Sequence, residues 1–169
     1  ARKALPIRVY VMLSARDPDL CREWEEKGPL GSPSDMLIVR SVKAYYDGAL
    51  GSRGARLLAD YSDMPGHRGV SGAGYGFDKD VVAAMMRAGF QVGVHAIGDA
   101  GNRESLDFLE SITKENARAR DGRHRIEHAQ VVSPQDIPRF AAMNIIASME
   151  PPHAVEDKGW AEARVGAER

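Results

Sequence analysis

One cysteine among 169 residues, Cys21, leaves nothing to pair with in an intramolecular disulfide. It also excludes a cysteine-rich zinc module, because such sites need several Cys or His at close spacing. Charge of one sign is equally scarce, with 23 Lys and Arg against 24 Asp and Glu and a formal net charge of −1. That balance removes the electrostatic basis for binding nucleic acid or an anionic membrane surface. No apolar run approaches the ~20 residues that cross a bilayer, and the first residues lack the charged and then long apolar pattern of an export signal. The expectation is a cytoplasmic protein with neither nucleic-acid nor membrane partners. Two phosphate-binding loops are missing as well: no G-x-G-x-x-G follows the first apolar strand, and there is no G-x-x-x-x-G-K-[ST].

What is present is an alternation of short apolar runs with amphipathic stretches. Residues 5–13 (LPIRVYVML) read as a strand, and Pro18 to Lys27 as a helix with Asp17 as N-cap, Pro18 at its first position and Gly28 past its end. A second strand, Met36 to Tyr46, runs into the glycine-rich stretch 47–54 and a long loop. Asp78 caps the next helix, whose stripe is Val81, Val82, Met85 and Met86 and whose stop is Gly89. Phe90 to Ile97 is a strand, and Asn102 or Asp99 caps the helix carrying Leu106 and Leu109. Residues 123–132 give a fourth strand, a helix starts near Ser133 to Asp136 with Pro138 in its first turns, and Asn144 to Met149 gives a fifth strand before Pro151-Pro152. Five strands separated by helices, each apolar on both faces, indicate an α/β fold with a parallel sheet covered by helices.

Chemistry concentrates late in the strands. Lys43, His95 and His128 each lie near a strand's C-terminal end, and in a parallel α/β barrel those ends share the face on which active sites are built. Two neutral imidazoles on consecutive strands suit zinc or a similar divalent ion, which lowers the pKa of a bound water and polarises a carbonyl. A single histidine at a strand end is more often a packing residue, so the pair carries the reading. Lys43 has an ion pair with Asp47 as its alternative role. Asp47, Ser52 and Arg53 fall on the loop after the second strand, where Arg53 either grips a carboxylate or carbonyl oxygen of a substrate or braces the loop. Asp99 either supports an imidazole or caps a helix. His124, near a strand start, reads as structural, and His67 as a surface residue. Glu127 should point away from His128 by strand alternation and brace the exterior or the bottom of the barrel, against Arg125 or a helix.

Four ordered segments, residues 42–55 (VKAYYDGALGSRGA), 93–100 (GVHAIGDA), 123–129 (RHRIEHA) and 148–153 (SMEPPH), resemble the signature blocks of amidohydrolase family 3. They look most like its branch related to N-substituted formamide deformylase. The resemblance implies a metal-dependent amidohydrolase on a TIM (β/α)8 barrel. It makes His95 and His128 the metal-binding histidines of strands five and six, and Lys43 the strand-four lysine that some members carboxylate to bridge two metals. Zinc, one or two ions, is the implied cofactor, and a small amide-type molecule the implied substrate, with Asp47, Ser52, Arg53 and His153 as substrate contacts and Asp99 behind the imidazoles. The family's His-x-His of strand one has no counterpart among His67, His95, His124, His128 and His153, and no strand-eight catalytic aspartate can be named. An eight-unit barrel takes ~250 residues, ~31 per unit, so 169 residues correspond to roughly five units. Residues 1–169 are therefore expected to be one incomplete barrel, strands three to seven, inactive alone and with apolar edges that a second copy could cover. The competing reading is a non-catalytic regulatory or binding module on the same barrel.

Overall fold

The computed structural model describes residues 5–168, and five parallel strands in the order β1-β2-β3-β4-β5 form its single sheet. The strands are β1 Val9–Ser14, β2 Leu37–Tyr45, β3 Gln91–Ala96, β4 Arg125–His128 and β5 Ile146–Met149. The helices are α1 Pro18–Lys27, α2 Lys79–Arg87, α3 Asp99–Glu115, α4 Ala117–Arg120, α5 Ile137–Ala142, α6 His153–Glu156 and α7 Ala161–Val165. Sequential strands paired in parallel, with helical crossovers between them, are one continuous piece of an α/β fold, consistent with a partial barrel. Among the described residues no helix is long and apolar enough to cross a membrane.

Local chemistry explains where the elements begin. The Asp17 carboxylate accepts from Leu20 N at 3.0 Å and caps α1, Pro18 opens the helix without needing a donor, and Gly28 closes it at φ 72°. Asp78 accepts from the amides of Asp80 and Val81 to start α2. α3 corrects the expected cap. It starts at Asp99 with Gly98 in the capping position, because the chain crossing above it supplies the partner: Arg56 O accepts from both Ala100 N and Gly101 N. Asn102 is already inside the helix and donates to the carbonyls of Ala96, Gly98 and Val131. The expected fourth strand also shortens to 125–128, since His128 and Ala129 take positive φ, 76° and 42°, and end the ladder at His128.

Strand alternation sorts the two faces of the sheet. Val42 and Ala44, Val92, Val94 and Ala96, and Ile126 pack under the helices with Val82, Met85, Leu106 and Leu109. Full burial of each valine, leucine, isoleucine or methionine among them contributes about 1.5–3 kcal/mol. Lys43 and Tyr45, Gly93 and His95, and Arg125 and Glu127 alternate with these residues on the other face. Glu127 therefore meets the expected partner, Arg125, but on the inner face and not on the exterior. Its Oε1 lies where a side chain on Gly93 would stand, 2.6 Å from that Cβ position, and 2.7 Å from Arg125 on the inner face. The long loop 46–78 is not loose either: Leu50, Ala55, Leu57 and Tyr61 form a second core with Ile97 and Val165.

Candidate metal centre

Register brings the strand-end residues together. Tyr45 is paired with His95, and Ala96 with His128, so the ends of β2, β3 and β4 lie side by side. Alternation alone would send His128 into the helix layer with Ile126. The left-handed turn at His128 and Ala129 swings the imidazole to the opposite face, where its ring centroid lies 4.4 Å from that of His95 at an interplanar angle of 68°. Residues other than glycine rarely occupy that backbone region, which costs about 1–2 kcal/mol each. Strain of this kind clusters where function requires a particular side-chain direction.

The imidazoles present free lone pairs. His95 Nε2 is buried without a hydrogen-bond partner, its closest carboxylate oxygen being Asp47 Oδ1 at 3.8 Å. Burial, then His128 and Lys43, depress its pKa to about 3, so the ring is neutral at physiological pH. Burial also lowers His128, against the pull of Glu150. Glu150 Oε1 lies 2.7 Å from His128 Nδ1 but off the line of a hydrogen bond, and Glu150 Oε2 is 3.5 Å from His153 Nε2. His128, Glu150 and His153 each offer one ligand atom within 4.8 Å of the others. Two imidazole nitrogens and a carboxylate suit a divalent ion of the zinc type; His128 Nδ1 and His153 Nδ1 are buried without a hydrogen-bond partner, while the Glu150 carboxylate is exposed. Glu150 is the residue sequence reasoning passed over. It stands three before His153, and the turn through Pro151 and Pro152 that opens α6 brings the two together.

Lys43 joins this face. Its ammonium sits 4.8 Å from the Tyr45 ring centroid, and burial lowers its pKa with partial compensation from Glu127. The alternative partner, Asp47, is engaged elsewhere. Its carboxylate, fully buried, accepts from Ile97 N, Gly98 N and Arg56 N, each at 2.9 Å. Burial still raises its pKa to about 6 despite those three donors. A carboxylate so enclosed braces the start of α3 against the loop. Asp99 likewise ties the loop to the first turn of α3, accepting from Leu58 N at 2.9 Å and from Ala100 N at 3.0 Å, while the capping position itself is Gly98.

Ser52 and Arg53 are not brought to the imidazoles. Ser52 donates to Ala49 O within its own turn, and Arg53 forks onto both oxygens of Asp63, so both serve the loop. His153 is brought in, with its ring 5.6 Å from that of His128. His124 is buried at the start of β4, as expected of a structural residue, while His67 is half-buried rather than at the surface, stacked on Tyr61 and bonded to Arg53 O. Beside His128 opens a cavity of about 610 Å³, lined among others by Leu50, Val131, Met149, Glu150, His153 and Ala161.

The amidohydrolase family model matches residues 1–169. Among curated proteins, Protein LONG AFTER FAR-RED 3 of Arabidopsis thaliana is 38% identical over 136 residues, 80% of this chain and 23% of that protein. YtcJ of Bacillus subtilis, which carries an amidohydrolase name, is 31% identical over 169 residues, 97% of this chain and 29% of that protein. The crystal structure of an uncharacterized metal-dependent hydrolase from Pyrococcus furiosus superposes with a TM-score of 0.79 at 32% identity, covering 98% of this chain and 33% of that one. The chain spans about a third or less of the length of each of these proteins.

Proposed function

The chain belongs to the amidohydrolase family, and on that premise we propose that it supplies five barrel strands and the imidazole side of a metal centre to a larger hydrolase. The reaction is cleavage of an amide-type C–N bond in a small substrate, as in the formamide deformylase-like branch. The observation that carries this reading is the His95–His128 pair, two imidazoles at the same end of adjacent strands with ring centroids 4.4 Å apart and unpartnered nitrogens turned into the site.

His95 and His128 hold the ion through their neutral rings, with Glu150 and His153 at the rim and Lys43 beside them as free amine or carbamate. Depression of the Lys43 pKa by burial favours the neutral amine, the form that takes up carbon dioxide. A zinc ion bound there would lower the pKa of water and polarise a carbonyl oxygen. The net chemistry adds the water oxygen to the carbonyl carbon, breaks the C–N bond and leaves a proton on the departing nitrogen, giving an acid and an amine. No residue of this chain is assigned as proton acceptor; the family resemblance puts that aspartate on an eighth strand. The 169 residues alone are expected to turn nothing over and to hold metal weakly.

The test is metal analysis together with an amide-hydrolysis assay on the longer protein that contains this sequence. His95→Ala and His128→Ala should each lower kcat/KM by about 100-fold or more and release the metal. Full activity after both substitutions would refute the enzyme reading. A non-catalytic module predicts instead no hydrolysis of any amide with metal bound.

A further inference from the structure

Three of the donors at this end of the sheet close a set that leaves out His95. His128, Glu150 and His153 each place one ligand atom within 4.8 Å of the other two, and His95 is not among them. All three line the cavity of about 610 Å³, which His95 does not line. The set is also local. His128 ends β4, its register partner Met149 ends β5, Glu150 follows directly, and His153 is the first residue of α6. Residues 128–153 therefore supply every donor, and no strand outside this chain is needed. Two imidazoles and a carboxylate are a complete set of three protein ligands for zinc, with a fourth position left open. The donor spacing fits such an ion. Glu150 Oε1 is 2.7 Å from His128 Nδ1, which has no hydrogen bond, and Glu150 Oε2 is 3.5 Å from His153 Nε2. A tetrahedral ion with bonds of ~2.0–2.1 Å spaces its donors about 3.3–3.4 Å apart. That value falls between the two distances, and a Glu150 side chain that is 51% exposed is free to adjust to it.

The same exposure costs affinity, because the glutamate loses its rotamer freedom when the ion binds. Such a site fills only when the cation is in excess. His128 belongs both to this set and to the pair with His95, and a neutral imidazole has one lone pair, on one nitrogen at a time. It cannot ligate both ions at once. We infer that His128, Glu150 and His153 form a second, low-affinity divalent-cation site, and that filling it takes from His128 the lone pair that holds the ion shared with His95, so that cation in excess inhibits the enzyme. The site stands without the hydrolase reading; the inhibition rests on that reading.

The experiment is a zinc titration of the longer protein that contains this sequence, with binding read by calorimetry and, with cobalt(II) in place of zinc, by the visible absorption of the bound ion. His95→Ala removes the competing ion. In that background a weakly bound zinc should remain, and Glu150→Gln or His153→Ala added to it should each weaken that zinc by about 100-fold. With His95 intact, amide hydrolysis should fall as zinc rises past the loaded stoichiometry. Glu150→Gln, compared with its own rate before the excess is added, should lose that inhibition. Equal zinc affinity with and without Glu150 in the His95→Ala background would overturn the site, and inhibition that survives Glu150→Gln would overturn the exclusion. Zinc binding that depends on Glu150 and His153 in a protein that hydrolyses no amide would support the site while refuting the hydrolase reading and the inhibition with it.

Discussion

His124 offers the sharpest test of how the sheet is held, because both of its ring nitrogens are committed. The side chain is 1% exposed; Val92 N donates to Nδ1 at 3.0 Å, and Nε2 lies 2.7 Å from Ala119 O. A carbonyl can only accept, so the proton sits on Nε2, and Nδ1 is bare because an amide N–H faces it. A second proton would set two donors against each other, and burial, the larger cause, also pushes the pKa below the ordinary 6.5. The sign follows from linkage: in the unfolded chain the ring takes a proton near pH 6.5, while in the folded chain it resists until lower pH. The stabilisation is therefore complete above pH 6.5 and is lost as pH falls toward the folded pKa, at up to about 1.4 kcal/mol per pH unit. His124→Ala additionally orphans Val92 N–H and Ala119 C=O and opens a cavity, for a loss of about 3–5 kcal/mol at pH 7.5. His124→Gln keeps a donor and an acceptor and is the better comparison. Urea unfolding at pH 7.5, 6.5 and 5.5 should show the wild type losing stability faster than His124→Gln. His95 and His128 contribute the same slope to both proteins, so the difference isolates His124. Parallel curves, or an NMR titration of His124 at its ordinary value, would refute the reasoning. The consequence reaches function, since this ring anchors the start of the strand that ends in His128.

Asp47→Ala should destabilise the fold by about 3 kcal/mol in denaturant unfolding, because three buried N–H groups lose their acceptor while relief of a buried charge offsets part of that cost. Gly101→Ala reverses the usual helix preference: alanine should gain about 1 kcal/mol inside a helix, but here its Cβ would stand 2.3 Å from Asp47 Oδ2. A loss of about 1–3 kcal/mol is expected, and a gain in Tm would contradict the close approach. Ala129→Gly should leave Tm nearly unchanged, since relief of about 1 kcal/mol of strain at φ 42° is offset by loss of a buried methyl worth about 0.8 kcal/mol; a loss well above about 1 kcal/mol would show the turn is unstrained.

The parts of the molecule that repeat were legible in the sequence. Val92, Val94 and Ala96 beneath the helices with Gly93 and His95 opposite are period-two alternation, and Asp17, Pro18 and Gly28 mark the ends of α1 by their own side-chain chemistry. That Lys43, His95 and His128 meet at one end of the sheet was legible too, because each stands late in its strand. Direction was not. Period two holds only while the ladder lasts, and the candidate metal centre lies where the ladder stops, so two residues of positive φ reverse the face that alternation assigns to His128. Glu127 was misplaced by the same rule applied from the wrong end, since it was referred to His128 rather than to Arg125 and Ile126. The bracing role of Asp47 has no local signature, because its three partners are backbone amides 9, 50 and 51 positions away. Chemistry that needs an exposed lone pair must sit where regular hydrogen bonding ends, and there residue type survives as a signal while orientation depends on contacts far along the chain. Glu150 fits that account: nothing in its local pattern marks it as different from any exposed carboxylate until His128 is turned toward it.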